Sequence, residues 1–136
     1  DCKLFINLSE NTFFFSPGND LHNHLLHLLF KREQIFTKNA VSCFVGTDLL
    51  DYLKSMRIDT IVICGMQTHM CVEAAVRAAA DLGFKCILIE DACATRDLKY
   101  GDKVIKAQDV HYSTLTTLKN YALVETTEEF LKSREK

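Results

Sequence analysis

Cys71 closes the segment Gly65-Met66-Gln67-Thr68-His69-Met70-Cys71, a loop between a buried apolar run and a helical pattern. That spacing puts the thiol in the first turn of a helix. Free backbone N–H groups and the positive end of the dipole favour a thiolate there. The same N–H groups can hold an oxyanion while a carbonyl is attacked. On spacing alone, a cysteine at a helix start serves packing as readily as chemistry. The histidines offer a rival. His22, His24 and His27 stand close together, and His24 with His27 could share a helical face as metal ligands. No carboxylate at ligand spacing accompanies them. His69 reads as loop packing, with a base role as its alternative, and His111 reads as a structural residue near a helix start. Phe13, Phe14, Phe15 and Phe44 could wall an apolar pocket or fill the core.

The elements that must position these residues follow from periodicity. Thr60 to Cys64 is a continuous apolar, β-branched run, the pattern of a parallel strand buried on both faces. From Cys71 to Leu82 the spacing predicts a helix with Val72, Ala75, Val76 and Ala79 inside, ended by Gly83. Glu73, Arg77 and Asp81 follow one another at i, i+4 on its outer face. Cys86–Ile89 is the next strand, 107–119 a helix, and Ala122-Leu123-Val124 a strand. Thr126 with Glu129 forms a capping box for the last helix. Upstream, Leu4-Phe5-Ile6 and Gln34-Ile35-Phe36-Thr37 read as short strands. Residues 11–33 read as irregular, with a helical turn around His24-Leu25-Leu26. Thr47-Asp48 should cap a helix running to Met56, with Leu49, Leu50 and Leu53 on one face. The alternation predicts right-handed βαβ units and a three-layer α/β/α sandwich around a mainly parallel, Rossmann-like sheet. Residues 60–64, 85–89 and 121–125 should be adjacent parallel strands. Chemistry in such sheets sits beyond the carboxyl ends of the strands.

The chain has 136 residues, 48% hydrophobic and 25% charged, the balance of one core-forming domain. A net charge of −2 gives no basic surplus for nucleic acid. Apolar runs such as Ile61–Cys64 fall far short of the ~20 residues of a membrane span. Six cysteines without a CxxC pair or zinc spacing suit a reducing compartment, so a cytoplasmic protein is expected. The start, Asp1-Cys2-Lys3-Leu4, lacks a signal-peptide layout and an initiator methionine, which reads as an N-terminally incomplete domain over 1–136.

Several ordered motifs together resemble one family. Ile63-Cys64-Gly65-Met66-Gln67-Thr68-His69-Met70-Cys71-Val72, then Arg77-Ala78-Ala79 and Asp81-Leu82-Gly83-Phe84, resemble the nucleophile segment of the isochorismatase-like cysteine hydrolases. So do Glu90-Asp91-Ala92-Cys93-Ala94-Thr95-Arg96-Asp97, Val110-His111 and Thr126-Thr127-Glu128-Glu129-Phe130. Thr37-Lys38-Asn39, Ser42-Cys43-Phe44 and Gly46-Thr47-Asp48-Leu49 look like the family's lysine segment.

The resemblance implies a cysteine-dependent hydrolase of a small amide or carbamoyl compound, needing no cofactor or metal and assembling as a homo-oligomer. Cys71 would be the nucleophile and form a thioester-like intermediate. Lys38 would lie beside it, favouring the thiolate and steadying developing negative charge. A non-proline cis peptide would fall at Met66–Gln67 and aim the Gln67 and Cys71 amides at the oxyanion. Phe13, Phe14, Phe44 and Thr68 would line the substrate pocket, and Asp91 would order neighbouring loops or serve as a plain turn residue.

The family's triad also contains an aspartate ending the first strand, and here the sequence departs from the pattern. In one alignment Leu4-Phe5-Ile6 is the family's second strand and Phe14-Phe15-Ser16-Pro17-Gly18 the loop after it. The first strand is then missing, which implies a truncated product, an incomplete gene model or a rearranged sheet. In the other alignment Asn7 occupies the aspartate position. Neither supplies the acid, so weak turnover is expected, with Glu10 and Asp20 as remote substitutes. A catalytically impaired paralogue or fragment that keeps the fold for binding or assembly is the alternative.

Overall fold

The apolar run 60–64 is the middle of a strand whose two faces are both covered. The computed structural model describes residues 2–7, 12–17 and 34–134, with side chains described from residue 34 onward. Its strands are β1 (Cys2–Asn7), β2 (Thr12–Pro17), β3 (Gln34–Lys38), β4 (Thr60–Met66) and β5 (Lys85–Ala94), then β6 (Leu98–Tyr100), β7 (Lys103–Ile105) and β8 (Leu123–Glu125). The helices are α1 (Leu49–Ser55), α2 (Glu73–Asp81), α3 (Ala107–Leu118) and α4 (Thr127–Arg134), and a π turn (Thr68–Val72) runs directly into α2.

Six strands form one sheet in the order β3-β1-β2-β4-β5-β8. β2, β4, β5 and β8 are mutually parallel neighbours, whereas β1 runs antiparallel to both β2 and β3. The three strands expected side by side, β4, β5 and β8, are so. Successive side chains of β4 point to opposite faces. Ile61 and Ile63 join Leu49 and Leu53 of α1, Val76 and Ala79 of α2, and Leu115 and Leu118 of α3 in the larger core. Val62 and Cys64 pack on the other face with Ile89 and Phe130 of α4. Helices on both faces make the three layers. No helix among the described residues is long and apolar enough to cross a membrane.

Local chemistry sets the ends of the elements. After α2, Gly83 takes a positive φ of 92°. Its N–H and that of Phe84 bond the carbonyls of Ala80 and Ala79, the paired closure that a glycine past a helix end allows. The capping box closes as expected. Glu129 Oε2 accepts from the Thr126 N–H at 2.8 Å, and the Glu129 N–H donates to Thr126 Oγ1 at 3.2 Å. At α1 the side chain of Asp48 makes no cap bond; Thr47 Oγ1 instead accepts from the Leu49 N–H at 3.4 Å.

Two expectations need correction. Residues 12–17, expected to be irregular, form β2, and Phe14–Pro17 are the end of a strand rather than a loop. β5 runs past Ile89 to Ala94 through a shift of register between Ile63 and Gly65, which brings Cys93 and Ala94 beside Gly65 and Met66. The hairpin of β6 and β7, joined through Gly101, was not anticipated. The helical turn around His24 and the cluster His22, His24 and His27 lie outside the described residues.

Candidate active site

The carboxyl ends of β3 and β4 bring the two candidate catalytic side chains together. Lys38, the last residue of β3, is only 3% exposed. The chain turns sharply after it, so its ammonium nitrogen reaches the carbonyls of Ala40 at 2.8 Å and Val41 at 2.9 Å. Its third contact is Cys71 Sγ, at 3.3 Å. Cys71 is half-buried in the π turn, 33 residues away in sequence. A lone helix of ordinary pitch was expected here, but α2 itself starts at Glu73. Such one-turn widenings are often found at functional sites.

The loop that carries Cys71 is tied down at several points. Gly65 has a φ of 123°, which a side-chain-bearing residue rarely adopts, and the peptide bond Met66–Gln67 is cis. The Gln67 carbonyl accepts from the Met70 and Val72 N–H groups at 3.0 and 3.3 Å. Thr68 is fully buried and its hydroxyl meets His111 Nδ1 of α3 at 3.0 Å. His69 Nδ1 meets the hydroxyl of Thr95, just beyond β5, at 2.6 Å. Side chains of α3 and of the segment after β5 therefore both bond to the π turn.

The remaining candidate residues are placed differently. Phe44 stacks on Phe84, with ring centroids 6.3 Å apart, and packs against the larger core. Phe13 and Phe14 lie on β2 opposite Ile63 and Cys64 in the register; their side chains lie outside the described residues. Asp91 Oδ1 accepts from both the N–H and the hydroxyl of Thr127 at 2.8 Å, tying β5 to the first residue of α4. Those bonds hold its carboxyl below the usual carboxylate range. Asn7 pairs with Thr12, whereas Cys2 at the other end of β1 pairs with Lys38. Five residues of extended chain, about 17 Å, thus separate Asn7 from the level of Lys38. The register does not bring Asn7 to the site.

Desolvation acts on three of the other thiols. Desolvation pushes Cys64 up from an ordinary value of 9.0 to about 12, helped by nearby Cys93, and pushes Cys86 to about 11. Cys93 also rises to about 12 through burial, against a hydrogen bond from the Gly65 backbone. The carbonyls of Ala40 and Val41 carried no signal in the sequence, because any residue supplies them. Thr95 and His111 stood inside quoted motifs, but their partners are distant in the chain. Beside Thr95, an open cleft of about 650 Å³ is lined by Arg96, Asp97, Leu98, Lys99, Val104 and Lys106, with Lys106 paired to Asp97 at 3.1 Å. No group of three potential metal ligands occurs among the described residues.

The order of these motifs matches the model of the isochorismatase domain over residues 7–127. The chain belongs to the isochorismatase family. YddQ, an uncharacterised isochorismatase family protein of Bacillus subtilis, is 40% identical over 123 residues, covering 88% of this chain and 67% of the relative. Maleamate amidohydrolase of Pseudomonas putida is 30% identical over 89 residues, 57% of this chain and 41% of that enzyme. The crystal structure of a cysteine hydrolase from Pseudomonas syringae pv. phaseolicola matches with a TM-score of 0.66 and 34% identity, covering 70% of this chain and 46% of that one. The chain spans about half the length of the solved isochorismatase-family structures it matches.

Proposed function

We propose that the chain carries the site of a cysteine-dependent hydrolase that acts on the C–N bond of a small amide or carbamoyl compound. The contact of 3.3 Å between Lys38 Nζ and Cys71 Sγ carries this reading. Lys38 donates a hydrogen bond to the sulfur, and the thiolate is the nucleophilic form of a cysteine. Sγ adds to the carbonyl carbon, the C–N bond breaks, and water hydrolyses the resulting thioester. Met66 and Gln67 form the bend before the nucleophile, where backbone N–H groups would meet the developing oxyanion. The similarity to a maleamate amidohydrolase and to a cysteine hydrolase supports an amide-type substrate and a thiol nucleophile. No step calls for a cofactor.

A second reading, a binding or assembly module of impaired turnover, is favoured by one observation. β2 fills the place beside β4, and its last residues, Phe15-Ser16-Pro17, include no acid. Ammonia release decides between the two. Maleamate, nicotinamide and simple carbamoyl compounds are incubated with the chain and with Cys71→Ala. Release that Cys71→Ala abolishes supports the hydrolase; release that survives the substitution overturns the thiol mechanism. Saturable binding of these compounds without any release favours the second reading.

A further inference from the structure

We propose that His111 is a positioning residue for Cys71, acting through Thr68. This rests on the hydrolase reading above and names what holds its nucleophile in place. Thr68 opens the π turn and is wholly buried. A buried hydroxyl without a hydrogen bond is costly, and this one meets His111 Nδ1 at 3.0 Å. Either neutral tautomer serves the contact. With the ring proton on Nε2 the hydroxyl donates to Nδ1, and with the proton on Nδ1 it accepts.

The turn so held is an uncommon one. The Gln67 carbonyl accepts from the Val72 N–H at 3.3 Å, and the Glu73 N–H is shared between the carbonyls of Thr68 and Met70. Bonds from residue to fifth residue make a wider turn than the α-helix, and such turns are rare. Neighbouring elements must maintain it. A return to ordinary helical pitch would carry Cys71, three residues after Thr68, to another azimuth and off its 3.3 Å contact with Lys38.

His111 is itself fixed. It lies four residues, about one turn, after Ala107, the first residue of α3. The Ala107 N–H donates to Asp97 Oδ1 at 2.8 Å, and Lys106 Nζ donates to Asp97 Oδ2 at 3.1 Å. Asp97 follows Thr95, whose hydroxyl meets His69 Nδ1 at 2.6 Å. These bonds close a ring. The π turn is tied to α3 through Thr68 and His111, α3 to the segment after β5 through Asp97, and that segment back to the π turn through Thr95 and His69. Of the three links, only the one to His111 holds a fully buried hydroxyl, so it is the one water replaces least well.

The test reads placement separately from stability. Cys71 is acylated with p-nitrophenyl acetate over a range of ester concentrations, and peptide mapping locates the acetyl group. His111→Phe keeps a ring beside Tyr112 and deletes the bond to Thr68. His111→Asn brings an amide near the place of Nδ1 and restores a partner for the hydroxyl. The phenylalanine variant should acylate roughly 10–10²-fold more slowly at saturating ester, the scale on which small misplacements of a reacting group act. Its half-saturating concentration should not change, and the asparagine variant should recover most of the rate. Thr68→Val deletes the same bond from the other end and should match His111→Phe. The double variant should lose no more than either alone, as for two residues acting through one bond. Urea unfolding accompanies each rate, because a role confined to stability lowers the midpoint and leaves the folded chain's acylation rate alone. A folded phenylalanine or valine variant that acylates at the wild-type rate overturns the proposal. So does an asparagine variant as slow as the phenylalanine one. Thr68→Val decides if His111→Phe does not fold. Failure of the wild-type chain to acylate at Cys71 overturns the hydrolase reading, and the proposal with it.

Discussion

Lys38 shows why one contact organises the site. A lysine is seldom buried unless something repays its desolvation. Here two backbone carbonyls and one sulfur do so. Nothing local announces this in the sequence: Lys38 and Cys71 are 33 residues apart, and each on its own reads as a strand-end lysine and a helix-start cysteine. Only the ordered motifs shared with a family linked them. Thr68, expected at the pocket wall, is wholly buried, and its hydroxyl meets His111 of α3. Thr68→Val keeps the shape of the side chain and deletes this bond. It should cost about 1–2 kcal/mol in urea unfolding, the worth of one hydrogen bond plus an imperfectly satisfied partner. Unchanged stability would show that the hydroxyl contributes nothing to holding the loop.

Among the elements, those with a strong period were legible. The buried run of β4, the stripe Val72, Ala75, Val76 and Ala79, and the reciprocal capping of α4 all formed where the residues indicated. β2 was not legible, since Thr-Phe-Phe-Phe-Ser-Pro has no alternation and ends in proline. The hairpin of β6 and β7 was hidden because its strands are three residues each and mostly exposed, so no apolar face marks them. The junction of β5 and α4 carries a prediction of its own. Asp91 accepts two bonds from Thr127 at the start of α4, where a negative charge also suits the helix dipole. Its carboxyl is held below the ordinary value of 3.8 by those bonds, so the stabilisation is complete above that value and is lost as pH falls through the lowered one. Asp91→Ala should therefore lower the melting temperature at pH 7, and the difference should vanish in strong acid. A difference that persists in acid would mean that the charge is not responsible.

Over the whole molecule, the sheet places the site where an open parallel sheet is expected to, beyond the carboxyl end of β4. The antiparallel course of β1 has a further consequence. It sets Cys2 beside Lys38 and carries Asn7 to the far end of β2, so restoring a carboxylate by Asn7→Asp would put it at the wrong end of the sheet. What the fold supplies at the right end is Lys38, against the sulfur. Limited labelling with iodoacetamide at neutral pH, followed by peptide mapping, tests that arrangement most directly. Cys64 and Cys86 are buried and keep their protons up to about 12 and about 11, and Cys93 up to about 12. The structure predicts that Cys71 is alkylated first among the five thiols of the described side chains and that Lys38→Met removes the preference. Preferential labelling of Cys43 or Cys93, with or without Lys38, would contradict it.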